Sequence, residues 1–257
     1  MDVDEVVVEV DGRDNMELVM GQCVLERSWQ RMVQFTYYGH ACFLLDDGKY
    51  KVLCDPFLTG NPKATVKLED VEADFILITH AHGDHLGDAP EIADRTGAGL
   101  VGIPEVLGLC DERVPGLKQH PMNLGGSLTL PFGKVRMTLA QHSSGVPGGI
   151  ACGYVIYMGG LKIYFAGDTA LFSDMQLIGK KDDLDYAILP VGDNYTMGLE
   201  DAAMAAQLLN ARHIIPVHYN TWPIINQDVR HYKEITEAMS RAEVHIVEPG
   251  GTWKMQA

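Results

Sequence analysis

The stretch His80-Ala81-His82-Gly83-Asp84-His85 puts three imidazoles and a carboxylate next to one another. Both groups are ligands for zinc, iron or manganese. The stretch follows the apolar run Phe75-Ile76-Leu77-Ile78-Thr79 directly. A loop leaving a buried strand there can aim His80 and His82 at one cation. Asp84 and His85, a turn further on at a helix start, can reach a second. Two cations with open positions need about six ligands or more, so other strand ends must contribute. His142 ends the run Val135 to Ala140, Asp168 follows Lys162 to Phe165, and His218 ends Ile214 to Val217. These seven side chains are the candidate metal set.

The elements that must position them are legible from periodicity and turn residues. Strands are expected at Val33 to Tyr38, Ala41 to Leu45, Tyr50 to Cys54, Phe75 to Thr79, Ser127 to Leu130, Val135 to Ala140, Tyr154 to Met158, Lys162 to Phe165 and Tyr186 to Leu189. Helices are expected at Leu86 to Arg95, with Gly97 as its stop, and at Phe172 to Ile178, Leu199 to Leu209 and Val229 to Ala242.

The chain also resembles itself. Ala41-Cys42, a strand, a turn, a Lys-led strand and Asp55 recur as Ala151-Cys152, the same elements and Asp168. Asp74 to Ile78 recurs as Asp185 to Leu189, and Leu86-Gly-Asp-Ala as Leu199-Glu-Asp-Ala. At a slightly different offset, Val33 to His40 resembles Val135 to His142. The shared order predicts two similar α/β halves packed face to face, with corresponding strand ends along one edge. His40 then answers to His142, Asp55 to Asp168, and Glu105 to His218.

The 257 residues are 46% hydrophobic, enough for a substantial core, and carry 35 acidic against 20 basic side chains for a net charge of -15. This disfavours nucleic acid and anionic membranes as partners. Five cysteines without a Cys-x-x-Cys pair, and no long apolar run, point to a soluble protein of the cytoplasm. Residues 1–31 read as an N-terminal extension, with Val6 to Val10 as an added edge strand or with Met32 as the biological start. Residues 32–257 read as one domain.

The pattern His-x-His-x-Asp-His, a later His, a later Asp and a final His resembles the metallo-β-lactamase superfamily. Thr36 to Ala41, Asp55-Pro56-Phe57, Gly192 to Gly198 and Pro216 to Thr221 look like its prokaryotic family of metal-dependent hydrolases, itself similar to ascorbate-phosphate lactonases and N-acyl phospholipases. The resemblance implies a four-layered αββα sandwich. It implies two divalent metal ions, zinc first and manganese or iron as alternatives. It also implies His80, His82 and His142 on one ion, Asp84, His85 and His218 on the other, and Asp168 between them.

Such a pair of cations activates water, so no nucleophilic Ser or Cys is needed, and Gly-x-Ser-x-Gly is absent. Asp84 is expected to orient the attacking water as well as bind metal. Asp55 is expected to brace a ligand histidine through its other ring nitrogen. His40 is expected to face the site as a proton donor or substrate contact. Asn194, Met197, Asn220 and Trp222 are expected to shape the pocket, whose cations would attract anions. Glu105 reads as a helix N-terminal acid, and His120, His213, His231 and His245 as structural or surface residues without ligand-like company.

The leading expectation is hydrolysis of a small ester-like substrate: a lactone, thioester, amide or phosphodiester. A nuclease of the tRNA-processing kind would want a basic surface and an RNA-gripping insertion, neither apparent here. A non-catalytic metal sensor and a redox member of the superfamily are the remaining alternatives. The oligomeric state is left open by the sequence.

Overall fold

The computed structural model describes residues 32–256; the expected strand Val6 to Val10 lies outside the described residues. Strands β1 (Val33–Gly39), β2 (Cys42–Asp46), β3 (Lys51–Cys54), β4 (Phe75–Leu77), β5 (Gly99–Gly102) and β6 (Gln119–Pro121) form one sheet in chain order. A second sheet follows, from β7 (Ser127–Leu130), β8 (Gly133–Leu139), β9 (Cys152–Met158), β10 (Leu161–Phe165), β11 (Tyr186–Pro190), β12 (His213–Val217) and β13 (Glu243–Val244). The last strand, β14 (Thr252–Met255), returns to pair antiparallel with β1.

The two sheets have the same pattern. In the first, β14, β1, β2 and β3 are antiparallel neighbours, and β3 to β6 are parallel. In the second, β7 to β10 are antiparallel and β10 to β13 parallel. The internal repeat is therefore architectural, and it brings the ends of β1, β3, β4, β8, β10 and β12 to one edge.

Burial explains the layering. Along β1, Val33, Phe35, Tyr37 and Gly39 are buried while Gln34 is exposed, the alternation of a strand with one face on the core. Phe43 of β2 meets Phe165 of β10 edge-on with ring centroids 4.9 Å apart, joining the sheets' inner faces. Tyr154 spans the same interface, its hydroxyl donating to the Ile78 carbonyl at 2.7 Å. The outer faces carry helices: α1 (Gly83–Leu86), α2 (Ala89–Thr96) and α3 (Pro104–Arg113) in the first half, and α4 (Met175–Asp182), α5 (Leu199–Leu209) and α6 (Val229–Met239) in the second. The architecture is the αββα sandwich, and the central parallel strands are buried on both faces, β11 throughout.

The expected helix from Leu86 to Arg95 is two helices. Gly87 has φ 44°, and a Cβ there would stand 2.3 Å from the Pro56 carbonyl oxygen. The chain breaks at that close approach, and α2 restarts at Ala89, stopping as expected at left-handed Gly97. The helix expected from Phe172 starts after Asp174, and α6 stops at Met239, short of Ala242. At its start, Asp228 accepts hydrogen bonds from the N–H groups of Arg230 and His231. Among the described residues no helix is long and apolar enough to cross a membrane.

Candidate metal centre

All seven candidate ligands come together at the shared edge. Ring nitrogens of His80, His82 and His142 lie within 4.8 Å of one another, and so do ligand atoms of Asp84, His85, His218 and His40. Asp168 stands between the sets. Its Oδ2 is 3.2 Å from His85 Nε2, 3.1 Å from His218 Nε2 and 3.7 Å from His142 Nε2.

These approaches are close but not aligned as hydrogen bonds. Asp168 Oδ1, His85 Nε2 and His218 Nε2 are buried without a hydrogen-bond partner. Buried polar atoms are rarely orphaned, and lone pairs converging from imidazole and carboxylate are what a divalent cation requires. The residues present fit the metal that the fold implies.

The hydrogen-bond network also fixes tautomers. The Thr79 hydroxyl donates to Asp55 Oδ2 at 2.7 Å, and the same oxygen receives His85 Nδ1–H at 2.8 Å. Having spent its proton, Thr79 Oγ1 must accept from His80 Nδ1 at 2.9 Å. One buried carboxylate thus turns the Nε2 atoms of both His80 and His85 inward. Asp55 takes a third bond, from the Thr79 backbone N–H at 2.8 Å, and has φ 41°. His40 and His218 also have positive φ, 60° and 56°. Left-handed backbone in non-glycine residues costs energy and collects where geometry is constrained by function.

Electrostatics differ between the two sets. Burial lowers the pKa of His80 well below the ordinary imidazole value, with His85 adding to it, and lowers that of His142 as well. At His85 burial opposes charge, but Asp168 and Asp55 outweigh it and raise the pKa well above the ordinary value. At Asp168 burial opposes charge too, and His218 and His85 overcome it, holding the carboxyl well below the usual range.

His40 is buried and does not line the cleft. Its Nδ1 accepts from the Thr221 hydroxyl at 2.8 Å and its Nε2–H donates to Asp84 Oδ2 at 3.1 Å. It therefore backs Asp84 from behind. Burial drives its pKa down to about 4 despite that partner.

A cleft of about 830 Å³ opens over the ligands, lined additionally by Phe57, Ser143, Tyr195, Trp222 and Ile224. Of the expected pocket residues Trp222 lines it; Asn194, Met197 and Asn220 do not. Asn194 is exposed beside it, Met197 is buried, and Asn220 accepts from Gln227 N–H at 2.7 Å to hold its loop. Tyr195 and Ile224 escaped the sequence reading, although bulky apolar residues inside Asn- and Pro-marked loops were the available signal. Glu105 sits in the first turn of α3 as expected. His213 and His245 do have company: their ring nitrogens meet at 2.9 Å near Glu243, where β12 begins, at the opposite edge.

Residues 34–218 match the family model described as beta-lactamase superfamily domain. A UPF0173 metal-dependent hydrolase of Heliobacterium modesticaldum is 47% identical over 232 residues, covering 86% of this chain and 97% of the relative. Another, of Thermus thermophilus, is 45% identical over 223 residues, covering 85% and 97%. The solved structure of Igni18, a metallo hydrolase from Ignicoccus hospitalis, superposes with TM-score 0.82 at 36% identity, covering 88% of this chain and 99% of that one. With its ligand pattern, paired sheets and edge cleft, the chain belongs to the metallo-β-lactamase superfamily and, within it, to the UPF0173 family of metal-dependent hydrolases.

Proposed function

We propose that the protein hydrolyses a small ester-like substrate at a centre of two divalent cations, zinc first and manganese or iron as alternatives. His80, His82 and His142 would hold one cation, Asp84, His85 and His218 the other, and Asp168 would serve both. The observation that carries this reading is the convergence of seven side chains of ligand type under one cleft, three of them, His85, Asp168 and His218, with buried polar atoms left without a partner. When bound, such cations supply Lewis acidity, making water acidic enough to ionise near neutral pH and polarising the bond to be cleaved.

The chain's own groups do the rest. Asp84 lines the cleft with its side chain 28% exposed, so it can accept a hydrogen bond from the attacking water. Burial opposes charge on that carboxyl, but the bond from His40 and the neighbouring His85 and His40 rings together overcome it and hold the carboxyl below its usual range. His40 has both ring nitrogens committed, so its role is to position Asp84 rather than to protonate a leaving group. Asp55 and Thr79 hold the two ligand histidines in their binding tautomers.

The four described cysteines, Cys42, Cys54, Cys110 and Cys152, are buried and unpaired, which suits the reducing cytoplasm. Metal analysis with lactone, thioester and phosphodiester substrates tests the reading. We expect up to two cations per chain, with loss of metal and turnover in His82→Ala and Asp168→Ala. Unaltered metal content in both variants would sink the ligand assignment.

A further inference from the structure

We propose that the cleft selects an electrically neutral acyl substrate, an ester, thioester or lactone, whose apolar portion lies against a wall of Phe57 and Trp222. This rests on the hydrolytic reading above and narrows it. The reaction consumes one water: its oxygen bonds the acyl carbon, the acyl–oxygen or acyl–sulfur bond breaks, and the leaving alcohol or thiolate ends with a proton.

Beyond the metal-ligating groups, the lining offers Phe57, Tyr195, Trp222 and Ile224 for apolar contact and the hydroxyl of Ser143. No lysine or arginine lines the cleft among the described residues. Sites that take phosphate or carboxylate groups supply forked or point cations for them. Here cations would serve only the reacting oxygen at the floor, and the remainder of the substrate meets apolar surface. An ionised group placed there would be desolvated without a partner, inside a protein of net charge -15. The cleft's attraction for anions, expected from its cations alone, therefore does not extend up its walls.

The wall is built. Phe57 and Trp222 face each other with ring centroids 6.0 Å apart, and both stand edge-on to buried His40, at 5.8 and 4.9 Å. Asp88 Oδ2 accepts the N–H groups of Leu58 and Thr59 at 2.9 and 2.8 Å, fixing the loop that carries Phe57. Asn220 and Gln227 brace the turn that carries Trp222. A surface ordered in advance binds without paying for its own immobilisation. Tyr195 and Ile224 add apolar surface that is 55% and 56% exposed, which a substrate would cover. The volume, about 830 Å³, lies in the range of small-molecule pockets.

The test compares p-nitrophenyl acetate, butyrate and octanoate with the p-nitrophenyl monoester of suberic acid and with bis(p-nitrophenyl) phosphate, on the metal-loaded protein. We expect kcat/KM to rise toward about fourfold per methylene while the wall is being covered, and octanoate to exceed the suberate monoester by more than about tenfold. Trp222→Ala should lower octanoate turnover about tenfold and acetate turnover much less. Because Trp222 packs on His40, Ile224→Lys provides a second variant at a half-exposed position; it should shift the preference toward the suberate monoester. A flat chain-length series, a preference for the suberate monoester or the phosphodiester in the wild type, or an unmoved preference in Ile224→Lys would overturn the proposal. Binding of 1-octanol, followed by a change in tryptophan fluorescence lost in Trp222→Phe, reads the wall without turnover. Octanol binding without hydrolysis of any substrate would overturn the hydrolytic reading and leave the apolar wall standing; hydrolysis with the opposite preference would do the reverse.

Discussion

Replacing Asp55 by Asn changes one buried atom yet should weaken both cation positions. Asp55 is fully buried and accepts three bonds, from Thr79 N–H, the Thr79 hydroxyl and His85 Nδ1–H. Asparagine has one acceptor oxygen. If that oxygen keeps Thr79 N–H, the new NH₂ faces His85 Nδ1 and Thr79 Oγ1. His85 can then accept only by moving its proton to Nε2, which points at Asp168 from 3.2 Å. Thr79, now receiving a proton from Asn, can donate to His80 Nδ1 and turn that ring over as well. Each change replaces a ligating lone pair by N–H. Loss of a group that orients a ligand costs about 10- to 100-fold in metal affinity. Loss of charge-assisted bonds costs about 1.5–3 kcal/mol, which at roughly 2–4 °C per kcal/mol lowers the melting temperature by about 3–12 °C. Chelator-competition titration with zinc measures the first effect, and thermal melting in excess chelator the second. Zinc affinity within about twofold of wild type in a folded Asp55→Asn protein would refute the tautomer argument.

His40→Ala should lose about 10- to 100-fold in kcat and hold metal more weakly than wild type but better than His82→Ala, since Asp84 loses its brace, and His40→Gln, which retains an N–H, should recover part; metal loss as complete as in His82→Ala would instead make His40 a ligand. In chelator-treated protein, His40 titrates near 6.5 when unfolded and at about 4 when folded. Its contribution is therefore complete above about 6.5 and lost as pH falls toward 4, about 3 kcal/mol over the span. His80 acts in the same direction and His85 in the opposite one, so the clean readout is a flatter stability–pH curve in His40→Gln; an unaltered curve argues against it. Gly87→Ala should destabilise by about 3 kcal/mol, because its Cβ would overlap the Pro56 carbonyl at a backbone angle that L-residues rarely adopt; a melting temperature within about 2 °C of wild type would refute this.

What was legible in the sequence was what short-range pattern encodes. The run Phe75 to Thr79 and the helix Leu199 to Leu209 carry strong apolar signals, and ligand types at strand ends follow from them. The strands β6, β13 and β14 were not legible, since Gln119-His120-Pro121, Glu243-Val244 and Thr252-Trp253-Lys254-Met255 are short and half polar, with pairing that depends on partners distant in the chain. The cleft wall was hidden for a related reason. Phe57 and Tyr195 sit in two loops and Ile224 in a short 3-10 helix, Pro223–Ile225, and only the folded edge makes neighbours of them. Asp55 was readable as a brace, but not its relay through Thr79 to His80, which requires the register of β3 beside β4.

The repeat gives these roles a common logic. Each half sends a histidine from the end of its first long strand and an aspartate from the end of its third, so the edge receives His40 and Asp55 from one half and His142 and Asp168 from the other. A small cation centre cannot be touched equally by both sets. His142 and Asp168 converge with the candidate ligands, whereas Asp55 stands behind them, bonded to His85, and His40, although within reach of Asp84, His85 and His218, spends its Nε2–H on Asp84. Asp84 and His85 lie on the first half's own edge helix, so the first half braces ligands it supplies itself, and the second half completes the centre from across the sheet interface. Packing of the two halves would therefore set the geometry of the proposed centre directly. Substitutions within the shared core, such as Phe43→Ala at its contact with Phe165, should lower metal affinity along with stability, although neither ring comes from a ligand-bearing loop. A Phe43→Ala protein that melts several degrees lower, yet holds zinc as tightly as wild type, would show that the centre is organised by the first half alone.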